Sequence, residues 1–171
     1  MDDLKSYIRE VPDFPKPGIR FYDITTLLSH PLALRMTVDR FTWIFAHLQV
    51  DKVVGIESRG FMFAPILAYN LNAGFVPVRK PGKLPAATVE RTYDLEYGQD
   101  RIQMHADGVL PGERVLIVDD LMATGGTARA TAELIAGQGA EVAGFGFVVE
   151  LSALRGRERL AGWEVESLIR Y

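Results

Sequence analysis

The chain contains no cysteine. Disulfides and thiolate metal sites are therefore excluded, a small fold stapled for secretion has no support, and a reducing cytoplasm fits. Positive charge is not in excess either: 19 Lys and Arg against 22 Asp and Glu leave a formal net charge of −3. A sequence-independent grip on nucleic acid needs a basic face over much of the surface, so no nucleic-acid partner is expected and any polyanion must be met locally. Long apolar runs are missing. The longest, FMFAPILAY, is far too short to span a membrane, and the start, MDDLKSYIRE, is acidic where a signal peptide would be basic, so no membrane association is expected. The three histidines, His30, His47 and His105, are too scattered to read as a metal site. There is no internal repeat and no low-complexity tract. What is present is 171 residues, 48% of them hydrophobic, enough for one sizeable core and short for two. Residues 1–171 therefore read as a single domain.

Leu4, Ile8 and Val11 recur at helical spacing, which predicts a short helix over the first ten residues, ended at Pro12. PDFPKPG then breaks regular structure, and the aromatics in the following IRFYDI favour a packed arm over a linker. From Pro31, a good first-turn residue, Leu34, Val38, Phe41, Phe45 and Leu48 mark one face of a helix. KVVGI predicts a strand, Phe61 to Asn72 a mostly apolar helix, and FVPVR a second strand. KPGKLPAATVERTYDLEYGQD shows no sustained period and reads as a long loop that forms a hairpin with RIQMHA. RVLIVDD and EVAGFGFVVEL are apolar strands flanking the helix TARATAELIAG, and WEVESLIRY alternates like an outer strand. Strands apolar on both faces and separated by helices define an α/β protein with a central, mainly parallel sheet flanked by helices. Ligands in such sheets lie beyond the carboxyl ends of the strands, so ESRG, RKPGK and DDLMATGGT are expected to converge there.

Within the last of these segments, Ala123, Thr124, Gly125, Gly126 and Thr127 lie between a strand and a helix. Unpaired backbone N–H groups and the positive end of the helix dipole favour an anion there, and glycine lets the backbone come close. The loop lacks the glycine-lysine ending of a nucleoside-triphosphate loop, so a single phosphate suits it better; a plain strand-to-helix turn is the bland alternative. Asp119 and Asp120 precede it. Two carboxylates cannot profitably face a phosphate, but as acceptors they suit a vicinal diol, one hydroxyl to each. A ring with two hydroxyls on one side and a phosphate on its arm is a ribose 5-phosphate. Helix-dipole complementation or a surface Mg²⁺ site would be the structural alternatives for the two acids.

VLIVDDLMATGGT resembles the phosphoribosyl-pyrophosphate signature of type I phosphoribosyltransferases. DFPKPGI, FYDIT, ESRGF, VPVRKPGKLP, YDLEYG and IVDDL follow the order found in the adenine phosphoribosyltransferases, over most of residues 13 to 150. The resemblance implies a type I phosphoribosyltransferase-like fold with a small N-terminal hood and a mobile loop, residues 1–30 forming the N-terminal helix and hood arm and residues 80–105 a flexible lid and hairpin. It implies the reaction of adenine with 5-phosphoribosyl 1-pyrophosphate to give AMP and pyrophosphate, in purine salvage, with Mg²⁺ held mainly by substrate oxygens. Arg59, Arg79, Lys80 and Lys83 would bind pyrophosphate, with the Arg79 region offered to the partner subunit's site in a homodimer. A cis peptide at Glu57–Ser58 would turn backbone N–H groups toward the same anion. Glu96 would handle the proton of the base, under the water-excluding lid KPGKLPAATVERTYD. In the hood, Ile19, Arg20, Phe21 and Tyr22 would cover the base, Phe21 stacking on one face of adenine with Leu121 on the other, while backbone groups around Arg20 and Tyr22 read its edge.

The sequence departs from that family at two hood positions: an aliphatic residue is usual where Arg20 stands and a basic one where Tyr22 stands. Two competing readings remain. One keeps the chemistry but takes xanthine or hypoxanthine. The other is a non-catalytic sensor of phosphoribosyl pyrophosphate, which would carry a DNA-binding module for which this chain shows no basic recognition segment.

Overall fold

The computed structural model describes residues 4–94 and 98–171. At its start the predicted helix is only a 3-10 turn, Leu4–Tyr7, followed by strand β1 (Arg9–Pro12), which pairs antiparallel with β2 (Arg20–Asp23). Leu4 and Ile8 are buried, as their spacing requires, but the chain then extends so that Val11 opposes Phe21. Pro12, Pro15 and Pro17 supply no N–H for a helix, and the hairpin is closed instead by Gly18 N donating to Asp13 Oδ1 at 2.8 Å. Helix α1 (Thr25–Ser29) and helix α2 (Pro31–Phe45) follow, with Ala33 N donating to His30 Nδ1 at 3.4 Å at the start of α2.

Strand β3 (Lys52–Ile56) leads into a 3-10 turn, Arg59–Met62, and helix α3 (Ala64–Asn70). The helix predicted over 61–72 is therefore split and shorter. Pro65 sits in the first turn of α3, where its missing N–H costs nothing, and the chain before it turns tightly, with Phe63 N bonded to Gly60 O at 3.2 Å. After β4 (Gly74–Val78), the expected hairpin with RIQMHA is present as β5 (Thr88–Asp94) against β6 (Gln99–His105), its first strand lying within the stretch read as loop. Only Val89 and Tyr93 of β5 pack against the core, so charged neighbours hide its alternation. Strand β7 (Arg114–Met122), helix α4 (Gly126–Ala136), strand β8 (Glu141–Glu150), two 3-10 turns and β9 (Glu164–Arg170) complete the chain.

The central sheet has the order β4-β3-β7-β8-β9, with every pairing parallel. Its two faces bury separate clusters. Val115 and Ile117 of β7 pack with α4, while Leu116 and Val118 pack with α2 and α3, the alternation expected of a strand covered on both sides. The connection after β3 returns to β4 on one side and the chain later enters β7 on the other. A switch point of this kind opens a crevice at the carboxyl ends of β3 and β7. Among the described residues no helix is long and apolar enough to cross a membrane.

Candidate active site

A cavity of about 330 Å³ lies at that switch point. The segments after three strands meet in it, as the sequence leads one to expect: Glu57 to Arg59 after β3, Arg79 and Lys80 after β4, and Asp119 to Leu121 at the end of β7. Tyr93 and Ile102 of the hairpin close one side. An adjoining hollow of about 100 Å³ is bounded by the loop from Ala123 through Thr124, Gly125 and Gly126 to Thr127. Gly125, at a φ of 76°, turns the chain into α4. A helix start leaves its first N–H groups without carbonyl partners, and the residues that carry them, Gly126 to Ala128, line the hollow, a place that favours an anion.

The two acids are buried side by side, Asp119 8% and Asp120 4% exposed. Asp120 N donates to Asp119 Oδ1 at 2.8 Å. Burial pushes the Asp119 carboxyl well above the usual carboxylate range, and the neighbouring Asp120 carboxylate pushes the same way, against the opposing pull of Arg59. Arg59 Nε lies 2.8 Å from Asp120 Oδ2 as an ion pair, yet out of line for a hydrogen bond, so Asp120 Oδ2 has no hydrogen-bond partner among the described residues. Gly60 makes room for this arrangement: a Cβ there would stand 2.8 Å from Asp119 Oδ1 and 2.9 Å from Asp119 Cα.

Across the cavity the cations gather on Glu57. Its carboxylate accepts from Lys83 Nζ at 2.6 Å, Lys80 N at 2.8 Å and Arg79 Nη2 at 3.1 Å. Burial works to raise the Glu57 carboxyl, but these donors together outweigh it and hold it down at about 2. Lys80 also pairs with Asp100, and the Tyr93 hydroxyl lies 3.1 Å from Asp100 Oδ2 and 3.2 Å from Thr127 Oγ1, tying the hairpin to the start of α4. Neither Glu57 as the hub of the cations nor Tyr93 as the tie stands out from the sequence. The available signal was an acid in ESRG opposite three cations in RKPGK, and an aromatic on the core-facing side of the hairpin.

The geometry bears on several expectations. Arg79 lines this chain's own cavity, where its Nη2 pairs with Glu57 Oε1 at 3.1 Å; its reach toward a partner subunit is a matter of the assembly and stays a proposal. The Glu57–Ser58 peptide is trans; the one cis bond among the described residues is Phe14–Pro15. Of the hood residues, Phe21 stands beside a cavity side chain, the Arg59 guanidinium carbon lying 5.3 Å from its ring centre. None of Ile19, Arg20, Phe21 and Tyr22 lines the cavity itself, and their part in covering a base stays a proposal. Side chains alternate along β2, so Arg20 turns away to pair with Glu10 at 3.0 Å and Tyr22 to stack on Tyr171 at 3.8 Å between ring centres. Ser58 and Leu121 line the cavity, whereas Lys83 joins it from behind, its Nζ on Glu57 and its carbonyl accepting from Arg79 Nη1 at 3.4 Å. Glu96 lies outside the described residues.

A helix start able to take an anion, two buried acids next to it and a cluster of cations on the far wall have the chemistry that suits a phosphorylated sugar carrying a second anionic group. The chain belongs to the phosphoribosyl transferase domain family, whose model matches residues 23–169. A relative from Solibacter usitatus, described as an adenine phosphoribosyltransferase, is 60% identical over 171 residues, 100% of this chain and 99% of the relative. The crystal structure of adenine phosphoribosyltransferase from Thermoanaerobacter pseudethanolicus superposes with a TM-score of 0.96 at 47% identity, covering 99% of each chain. That of the Saccharomyces cerevisiae enzyme, complexed with an imino-altritol bisphosphate and adenine, superposes with a TM-score of 0.92 at 39% identity, covering 97% of this chain and 96% of the yeast chain.

Proposed function

We infer that this protein transfers the 5-phosphoribosyl group of phosphoribosyl pyrophosphate to adenine, giving AMP and pyrophosphate, a reaction of purine salvage. Near-full-length relatives that carry that activity in their names support the reading. The single structural observation behind it is the buried Asp119–Asp120 pair standing between a glycine-lined anion cradle and a wall of cations.

In this reading the loop Ala123–Thr127 takes the 5-phosphate and each aspartate accepts one ribose hydroxyl. Arg59, Arg79 and Lys80, with Lys83 behind Glu57, stabilise the pyrophosphate as the bond from the ribosyl carbon breaks and the electron pair leaves on its oxygen. The purine nitrogen that forms the new bond gives up its proton, and Glu96 takes the role of acceptor for proton handling at the base. Phe21 and Leu121 flank the base, and hairpin residues 80–105 act as the lid that keeps water from a sugar-cation-like transition state. Asp120 Oδ2, buried and without a hydrogen-bond partner, is the kind of oxygen that a ribose hydroxyl or a hydrated Mg²⁺ satisfies. Substrate oxygens would hold most of the shell of such an ion, which keeps several waters and few protein ligands. Mg²⁺, when bound there, supplies neutralising charge to the leaving pyrophosphate.

We further propose a cytoplasmic homodimer joined through the exposed apolar residues around α3 and the edge strand β4, namely Met62, Ile66, Tyr69 and Phe75. Sedimentation of the purified protein tests it. The activity is tested by incubating the protein with Mg²⁺, phosphoribosyl pyrophosphate and each purine base in turn. AMP from adenine alone is expected. A nucleotide from hypoxanthine or xanthine instead would reassign the base, and binding of phosphoribosyl pyrophosphate with no nucleotide from any base would make the protein a sensor.

A further inference from the structure

The connection between β8 and β9 makes a backbone contact with the anion loop that none of the roles above uses. Gly156 is buried at the start of the 3-10 turn Gly156–Leu160. A Cβ at 156 would lie 2.4 Å from the Ala123 carbonyl oxygen and 3.0 Å from both Gly125 N and Met122 Cγ. From the other side, a Cβ at 125 would lie 2.5 Å from the Gly156 carbonyl oxygen. The two stretches of main chain thus rest on each other with no side chain between them. At Gly125 the φ of 76° also demands glycine, whereas Gly156 has no positive φ, so space alone requires glycine at 156.

The residue that follows pins the turn in place. Arg157 donates to both carboxylate oxygens of the buried Glu150, Nε at 3.2 Å and Nη2 at 2.7 Å, and also reaches the Val165 carbonyl and Ser167 Oγ. Arg170 Nε adds an ion pair to Glu150 at 3.4 Å. The Arg157 guanidinium holds the Glu150 carboxyl below the usual range, as a fork-shaped, charge-assisted pair does. Gly156 is therefore anchored to the ends of β8 and β9 and not to the loop that it supports.

We propose that Gly156, held by the Arg157–Glu150 pair, is a positioning residue for the 5-phosphate of the substrate: it backs Ala123 to Gly125 so that the loop N–H groups converge on one point. This rests on the reading of residues 123–127 as the 5-phosphate loop. Ordinary contact begins at 3.4 Å, so alanine at 156 obliges the loop to retreat by about 1 Å. Hydrogen bonds to a charged group lose most of their strength over such a distance.

The test measures the dissociation constants of ribose 5-phosphate and of pyrophosphate for the wild type and for Gly156→Ala. Affinity for ribose 5-phosphate is expected to fall roughly tenfold or more, the worth of one charge-assisted hydrogen bond, with pyrophosphate held within about twofold. In steady state the KM for phosphoribosyl pyrophosphate rises while that for adenine stays put, a split that general loss of folded protein does not produce. Unchanged affinity for ribose 5-phosphate, or equal loss of both ligands, overturns the proposal. If Gly156→Ala does not fold, Arg157→Lys carries the test, since lysine keeps the charge but cannot bridge both Glu150 oxygens; the same selective loss supports the brace, and no loss or an equal one overturns it. Thr127→Val separates the two layers of the argument. If it spares ribose 5-phosphate binding, the loop reading itself is wrong; if it weakens binding while Gly156→Ala does not, only the brace fails.

Discussion

Asp119→Asn changes the charge on one buried group and little else, since Asn Oδ1 can keep the hydrogen bond from Asp120 N. The folded protein holds a proton on Asp119 more tightly than the unfolded chain does, because the carboxyl is buried and stands beside Asp120. A raised folded pKa contributes stability below the unfolded value of about 3.9, and that contribution is lost as pH rises through the folded value. Asparagine does not titrate. Its advantage over the wild type should therefore be near zero around pH 4 and grow as the pH is raised. Removing one of two adjacent buried acids is worth on the order of 1 kcal/mol, or about 2–4 °C in Tm for a chain of this size.

Binding should move the other way. A ribose hydroxyl donating to a carboxylate is a charge-assisted hydrogen bond worth about 1.5–3 kcal/mol, so its replacement by an amide weakens phosphoribosyl pyrophosphate by roughly 10- to 150-fold. The assay pairs thermal melts of the free protein from about pH 4 upward to mildly alkaline pH with a titration of the substrate at neutral pH. A variant that melts below the wild type at the upper end, or a Tm gap that does not widen with pH, would refute the electrostatic reasoning. Unchanged substrate affinity would refute the diol assignment.

Three further outcomes follow from the same geometry. Glu96→Gln should lower turnover by about 100-fold or more with little change in phosphoribosyl pyrophosphate binding, and near-normal turnover would remove Glu96 from proton transfer. Gly60→Ala should keep the fold but push Asp119 aside, since the new Cβ starts 2.8 Å from its Oδ1; kcat/KM for phosphoribosyl pyrophosphate is expected to fall about 10- to 100-fold, and a value close to wild type would show that the acid tolerates displacement. At acid pH the sign reverses from that of Asp119: Asp23, held at about 2 chiefly by Arg9, and Glu57, held at about 2 by Lys83, Lys80 N and Arg79, contribute stability above the unfolded carboxylate range that is lost as pH falls toward 2. Glu57→Gln should flatten part of the acid slope of Tm, and an unchanged slope would show that the cation hub does not stabilise the fold.

The elements that could be read from the sequence are those whose burial writes a local pattern. RVLIVDD and EVAGFGFVVEL are apolar on both faces because sheet neighbours and helices cover both, and α2 shows its stripe because one face packs on the sheet. The misread segments lack such a pattern. Residues 9–12 are mostly exposed and take their strand form from pairing with 20–23, fourteen to eight positions away in register from Arg9↔Asp23 to Pro12↔Arg20. In β5 the charged outer face dilutes the two core contacts of Val89 and Tyr93. The helix expected over 61–72 was broken by Pro65, whose preference for a first turn is itself local but was outweighed by the apolar run.

The site divides along the same line. Asp119, Asp120 and the Thr-Gly-Gly loop are contiguous, so their chemistry can be inferred from adjacency alone. The residues that aim them are not contiguous: Arg59 and Gly60 approach the acids from the end of β3, Tyr93 approaches Thr127 from the hairpin, and Gly156 approaches Ala123 and Gly125 from beyond β8. Each owes its place to parallel strands whose carboxyl ends share one edge of the sheet, which makes neighbours of residues far apart in the chain. This also accounts for the presence of two acids next to an anion loop. Asp120 is turned to Arg59 and Asp119 is seated against Gly60, so the carboxylates are directed by contacts from another strand, while the loop N–H groups are directed by α4. In the proposed reading, opposite demands, a pair of acceptors for hydroxyls and a set of donors for a phosphate, would be met within the nine residues 119 to 127 because different elements orient the two ends.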